Sequence, residues 1–222
     1  MMRLVRATVA LGMLVCVSSE PVLAQSLENR PQSEEKSDRV LEDYSECVAS
    51  KRTGKGSLIK KFLGVPVGGT LPPHVVMQLV VSDCLEGAGQ MRMAPELFGR
   101  SLYSALYRRD FRKTEPTGFV AATSYEGEFE PGTIMTPNQI YLRKVGDCAA
   151  TENVTAVHRF VIAKVWSAEE EAVLPQVIGA LSQCYAVGEK IVFSRSMLKG
   201  ILAESLYKFR HGMTHTQVAS AQ

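Results

Sequence analysis

Ser82-Asp83-Cys84, followed after a spacer by Leu102-Tyr103-Ser104-Ala105-Leu106-Tyr107-Arg108, returns one hundred residues later. There it reads Ser182-Gln183-Cys184 and then Leu202-Ala203-Glu204-Ser205-Leu206-Tyr207-Lys208. Leu97 falls on Met197 in the same register. Slipping the register by one residue sets Glu46-Cys47-Val48-Ala49 over Asp147-Cys148-Ala149-Ala150. Self-similarity at a fixed offset marks a duplicated structural unit. Each copy carries two cysteines, so the duplication and the cysteine pattern are read together.

Hydrophobic spacing makes both copies helical. Val40, Leu41, Tyr44, Cys47 and Val48 share one helical face, which predicts a helix from near Ser37. Leu58, Ile59, Phe62 and Leu63 give a second, short face. Thr70 is placed to cap a helix over 71–86, and Pro95 opens another that runs to about Arg109. In the second copy Val154, Val157, Phe160, Val161 and Val165 recur at helical spacing. Ser167-Ala168-Glu169-Glu170 reads as a capping box, starting a helix to about Tyr185 with Pro175 inside it. A last helix starts after Ser194 and reaches Arg210. Met91-Arg92-Met93 and Ile191-Val192-Phe193 leave room for one short two-stranded ribbon. The expected fold is all-α, with two quasi-equivalent, disulfide-closed helical repeats.

The N-terminus has a different character. Arg3 and Arg6 precede an apolar run from Ala7 to Val17, and Val22-Leu23-Ala24 offers a small residue at a cleavage point. This is the pattern of a secretory signal peptide over 1–24. The run is shorter than the roughly 20 residues that a membrane span needs, and no later stretch qualifies. Lipidation at Cys16 is disfavoured by Val15, where a small residue normally stands. Cleavage removes Cys16 and leaves Cys47, Cys84, Cys148 and Cys184, an even set that fits an oxidising compartment. Of the three pairings, locality favours Cys47 with Cys84 and Cys148 with Cys184. Each closes a loop of just under about 40 residues, worth about 4 kcal/mol in the chain-entropy model. The expected organisation is a flexible N-terminus over 25–36, repeat one over 37–111, an ordered crossover over 112–146, repeat two over 147–212 and a flexible tail over 213–222. Phe119, Val120, Phe129 and Ile134 are the crossover's apolar anchors.

The cysteine-bearing helices and the Leu-x-x-x-Leu-Tyr-Arg/Lys closure, above all Ile201-Leu202-Ala203-Glu204-Ser205-Leu206-Tyr207, resemble a group of uncharacterised secreted alphaproteobacterial proteins. The resemblance spans roughly 40–212. It implies a secreted helical protein and carries no activity or site residues with it.

Chemistry-bearing motifs are sparse. There is no Gly-x-Ser-x-Gly, no Cys-x-x-Cys-His and no P-loop: the glycine-rich stretch 64–70 lacks the lysine. No cofactor is therefore expected. His211 and His215 have metal-ligand spacing, but Gly212 between them argues against an ordered helix, and no metal site is expected. Tyr107 and Tyr207 read as structural rings with hydroxyls bonded to other elements. Charge is the clearest surface feature. Residues 46–113 hold 11 basic side chains against five acidic ones. Lys51, Arg52, Lys55, Lys60, Lys61, Arg108 and Arg109 outline a surface for an anionic partner, either an envelope component or a protein. Nucleic acid is not expected, because whole-chain charge is near neutral and aromatics are not interleaved with the basic residues. The sequence ranks a periplasmic or secreted binding protein first. The alternative is an envelope hydrolase with a site in only one repeat, near His74 or His158 with Glu169, Glu170 and Glu171.

Overall fold

The computed structural model describes residues 32–51, 56–67, 82–85, 94–125, 128–129, 132–185 and 192–212. Among them are seven α-helices and no strand. They are α1 (Gln32–Lys51), α2 (Gly56–Leu63), α3 (Pro95–Phe111), α4 (Pro137–Glu152), α5 (Val154–Ile162), α6 (Ala168–Ser182) and α7 (Arg195–Arg210). Ser82–Leu85 forms one 3₁₀ turn; the rest of the helix expected over 71–86 lies outside the described residues. So do 1–24, 91–93, Ile191 and 213–222. Val192 and Phe193 are irregular, so they supply no ribbon.

The centre of the molecule is the α3–α7 pair. Leu102, Tyr103, Leu106, Tyr107, Leu202, Ala203 and Leu206 are inaccessible to solvent. Arg100 and Gly200, which correspond at the same 100-residue offset, touch at the crossing. A Cβ built on Gly200 would lie 2.3 Å from the Cβ of Arg100 and 2.7 Å from its carbonyl carbon. Only glycine permits that approach. Around this pair α1 packs on α3, and α4 packs on α7. Gly146 lets α4 approach closely, with its absent Cβ 2.4 Å from Ser205 Oγ. α5 touches both central helices, and α6 closes over α4 and α5.

Both disulfides follow the local pairing. Cys47 on α1 joins Cys84 of the 3₁₀ turn, with Cα atoms 5.7 Å apart. Cys148 on α4 joins Cys184 just beyond α6, with Cα atoms 5.8 Å apart. The sequence separations are 37 and 36 residues.

Several boundaries differ from expectation, each for a local reason. α1 begins at Gln32 rather than near Ser37, so 32–36 belongs to the helix and not to a flexible N-terminus. Glu34 and Glu35 in its first turn face the positive end of the helix dipole, and Glu35 pairs with Arg39. α4 begins inside the expected crossover. Thr136 accepts from Gln139 N–H while Gln139 Oε1 accepts from Thr136 N–H, and Pro137 occupies the first turn. α5 stops at Ile162, because Val165 N–H bonds the Glu42 carboxylate at 3.1 Å rather than a helical carbonyl. At α6 only half of the capping box forms. Ser167 accepts from Glu170 N–H, whereas the Glu170 carboxylate turns to Trp166 N–H and to Arg195. α3 and α7 open where expected, at Pro95 and after the Ser194 cap.

The crossover is anchored by charge as much as by apolar residues. Phe119 stacks on Phe209 at 4.8 Å, and Phe129 lies under the Lys208 ammonium at 3.9 Å. Val120 and Ile134 do not anchor: they are 60% and 88% exposed. Glu128 does, with its side chain fully inaccessible between Lys208 and Arg143.

Candidate functional site

The interior contains an unusual amount of charge, and its pairing determines which basic residues remain for a partner. One network lies between α3, α4, α7 and the crossover. Glu204 bonds Arg100 at 3.1 Å and Lys208 at 3.0 Å. Lys208 bonds Glu128 at 2.8 Å, Glu128 bonds Arg143 at 3.1 Å, and Arg143 bonds Asp147 at 2.7 Å. Three cations thus face three anions, as a low-dielectric interior requires. Burial pushes the Glu204 carboxyl up, but Lys208, Arg100 and Arg143 outweigh it and hold it below its ordinary range.

A second network binds α1 to α5, α6 and α7. Glu42 pairs with Arg108, which also lies 3.2 Å from Glu46 and donates to the Ala163 carbonyl. Glu170 takes Arg195 at 3.0 Å and Lys199 at 2.7 Å. Trp166, the chain's one tryptophan, joins these elements in a left-handed conformation (φ 59°). Its indole N–H bonds Asp38, its carbonyl accepts from Arg39, and the Arg195 guanidinium lies 3.7 Å above its ring. A non-glycine residue at that φ is strained, and these contacts hold it there.

The expected surface is partly dismantled by these pairings. Arg108 is 7% exposed and paired internally, so it is not a surface contact. Arg109 is bonded to Asp110 at 2.6 Å and to the Ala49 carbonyl at 3.1 Å. Lys51 is exposed and lies 3.4 Å from Asp83. Lys61 is exposed on α2. Arg52, Lys55 and the side chain of Lys60 lie outside the described residues.

What the structure assembles instead is a cleft of about 620 Å³ between α1, α3, α5 and the turn after α5. Five basic side chains line it, Arg108, Arg109, Arg112, Arg159 and Lys164, against two acidic ones, Glu46 and Glu169. Ile162 and Ala163 supply its accessible apolar part, with Ala49 and Ala105 buried beneath. Three helix C-termini converge here, and their carbonyl ends attract cations. Arg109 and Arg108 answer two of them through Ala49 and Ala163. Lys164 is held by Glu46 at 2.5 Å and Asp43 at 3.3 Å. Arg112 and Arg159 are different: both are exposed, and neither side chain has an acceptor among the described residues. Arg108 also keeps a buried Nε–H with no acceptor. Arg159 and Lys164 lie outside the basic 46–113 stretch from which the surface was read in the sequence.

The other candidates are structural. Tyr107 bonds His158 Nδ1 at 2.8 Å, and Tyr207 donates to Asp110 at 3.4 Å. His158 is buried, and burial draws its pKa below the ordinary value. His211 stacks on Tyr207, with ring centroids 4.3 Å apart. His74 and His215 lie outside the described residues. Among the described residues there is no cluster of three metal-ligating side chains, and no helix is long and apolar enough to cross a membrane. Comparison with protein families, curated proteins and solved structures finds no match to this chain.

Proposed function

We propose that this chain is a disulfide-stabilised interaction protein, periplasmic or secreted, that docks an anionic envelope component in the α1–α3–α5 cleft. The 1–24 segment and two disulfides support the compartment. One observation carries the binding reading. In a cleft where every other cation is matched by protein acceptors, Arg112 and Arg159 have none among the described residues. Guanidinium is weakly hydrated and presents a planar fork to carboxylate, sulfate or phosphate. Binding is preferred to hydrolysis because His158 is bonded to Tyr107, while Glu170 and Glu171, two of the carboxylates expected near it, are held by Arg195 and Lys199; His74 lies outside the described residues.

The test is salt elution from a sulfated polysaccharide matrix. Arg112→Glu with Arg159→Glu lowers the eluting salt concentration more than Lys61→Glu does. Equal elution of the cleft variant and the parent protein refutes the reading.

A further inference from the structure

The cleft has a second property besides its charge: the half-buried Ile162 and Ala163 give it an apolar patch beside two guanidiniums that have no acceptor among the described residues. A volume of about 620 Å³ lies within the range of small-ligand sites. A flat electrostatic contact for a polymer needs no such recess. Resting on the reading above, we infer that the cleft takes a small amphiphilic anion, with a carboxylate or phosphate head and a short aliphatic body. The head lies with Arg112 and Arg159, and the body runs along Ile162 and Ala163. Arg108, Arg109 and Lys164 are not the head's principal partners. Drawing them away would strand Glu42, Glu46 or Asp110. Glu169 at the rim, in the first turn of α6, disfavours a second anionic group on that side.

Calorimetric titration of the full chain with both disulfides intact tests this. The probes are octyl phosphate and octanoate, compared with inorganic phosphate, which has no body, and octanol, which has no head. Both amphiphiles bind. Phosphate and octanol each bind at least about tenfold more weakly. Arg159→Gln weakens octyl phosphate about tenfold or more, as expected for one charge-assisted hydrogen bond. Because Arg159 is exposed, its replacement leaves the fold intact, which circular dichroism checks.

Phosphate binding as tightly as octyl phosphate overturns the amphiphile assignment. So does an affinity unchanged by Arg159→Gln, or no amphiphile binding at millimolar concentration. If the amphiphiles fail while polysaccharide retention still depends on Arg112 and Arg159, the small-ligand class falls and the anionic docking surface stands. If retention is also indifferent, both fall.

Discussion

Replacing Gly200 by alanine puts a methyl group where α3 and α7 cross. On helix propensity alone the change stabilises, by up to about 1 kcal/mol. The geometry reverses the sign. The new Cβ would sit 2.3 Å from Arg100 Cβ and 2.7 Å from the Arg100 carbonyl carbon and oxygen. Carbon–carbon contacts are optimal near 3.5–4.0 Å, so the helices must part by about 1 Å or more. The neighbours are backbone, not the flexible end of a side chain, and cannot swing away. Parting the helices loosens Leu102, Leu106, Leu202 and Leu206 and stretches the 3.1 Å Arg100–Glu204 bond. Overpacking of this kind costs about 1–3 kcal/mol, and breaking a buried ion pair adds to it. A net loss of about 2–4 kcal/mol is expected. Gly179→Ala is the control, since Gly179 is mid-helix on α6 and a Cβ there meets nothing within 4 Å. It gains up to about 1 kcal/mol. Urea unfolding followed through Trp166, the only tryptophan, reads both variants. If Gly200→Ala is as stable as Gly179→Ala, the crossing geometry described above is wrong.

Two further perturbations test the interior charge. Glu128→Gln leaves three interior cations facing Glu204 and Asp147, with only the part-exposed Glu96 beside Arg100 in addition, and costs about 3–5 kcal/mol. Lys208→Met in the same chain restores neutrality and recovers at least half of that loss; a double-mutant cycle with additive terms refutes the network. For His158, burial is the main cause of its lowered pKa, so the unfolded chain takes a proton near 6.5 while the folded chain resists it. Stability therefore declines as pH falls from about 6.5 through the folded-state pKa. His211 is shifted in the same direction and adds to the slope. Unfolding free energy measured between pH 7 and 5 has a shallower dependence in His158→Gln; an unchanged slope removes this assignment.

The elements that were legible in the sequence were those written locally. Ser194 before an apolar run, Pro95 at a first turn and the spacing of Leu102, Leu106, Leu202 and Leu206 are short-range statements, and the helices begin and bury as they imply. The disulfide pairing followed from loop length. The start of α4 was also legible: Thr136-Pro137-Asn138-Gln139 is a capping box with proline in the first turn, hidden by the surrounding glycines and prolines. Charge pairing was not legible. Arg108 meets Glu42 across 66 residues, and Lys208 meets Glu128 across 80. A sequence shows that a lysine exists, not which carboxylate it faces. Arg108 thus read as surface when the fold buries it, Arg109 is exposed but already held by Asp110 and the Ala49 carbonyl, and Val120 and Ile134 read as anchors when Glu128 holds the crossover.

The same pairing explains why so few residues can carry the proposed binding. A cation in a low-dielectric interior is tolerable only with an anion beside it, and removing either partner strands the other. Arg100, Arg143, Lys208, Arg108, Arg195 and Lys199 are all committed in this way. A ligand that recruited one of them would have to replace a carboxylate already in place, trading one charge-assisted bond for another with little net gain. Arg112 and Arg159 face no such exchange. An oxyanion meeting them replaces only water, so each new charge-assisted bond adds to affinity without stranding a protein carboxylate. The basic residues most deeply built into the fold are thus the poorest candidates for recognition. The proposed selectivity rests on two exposed arginines, one just beyond α3 and one on α5.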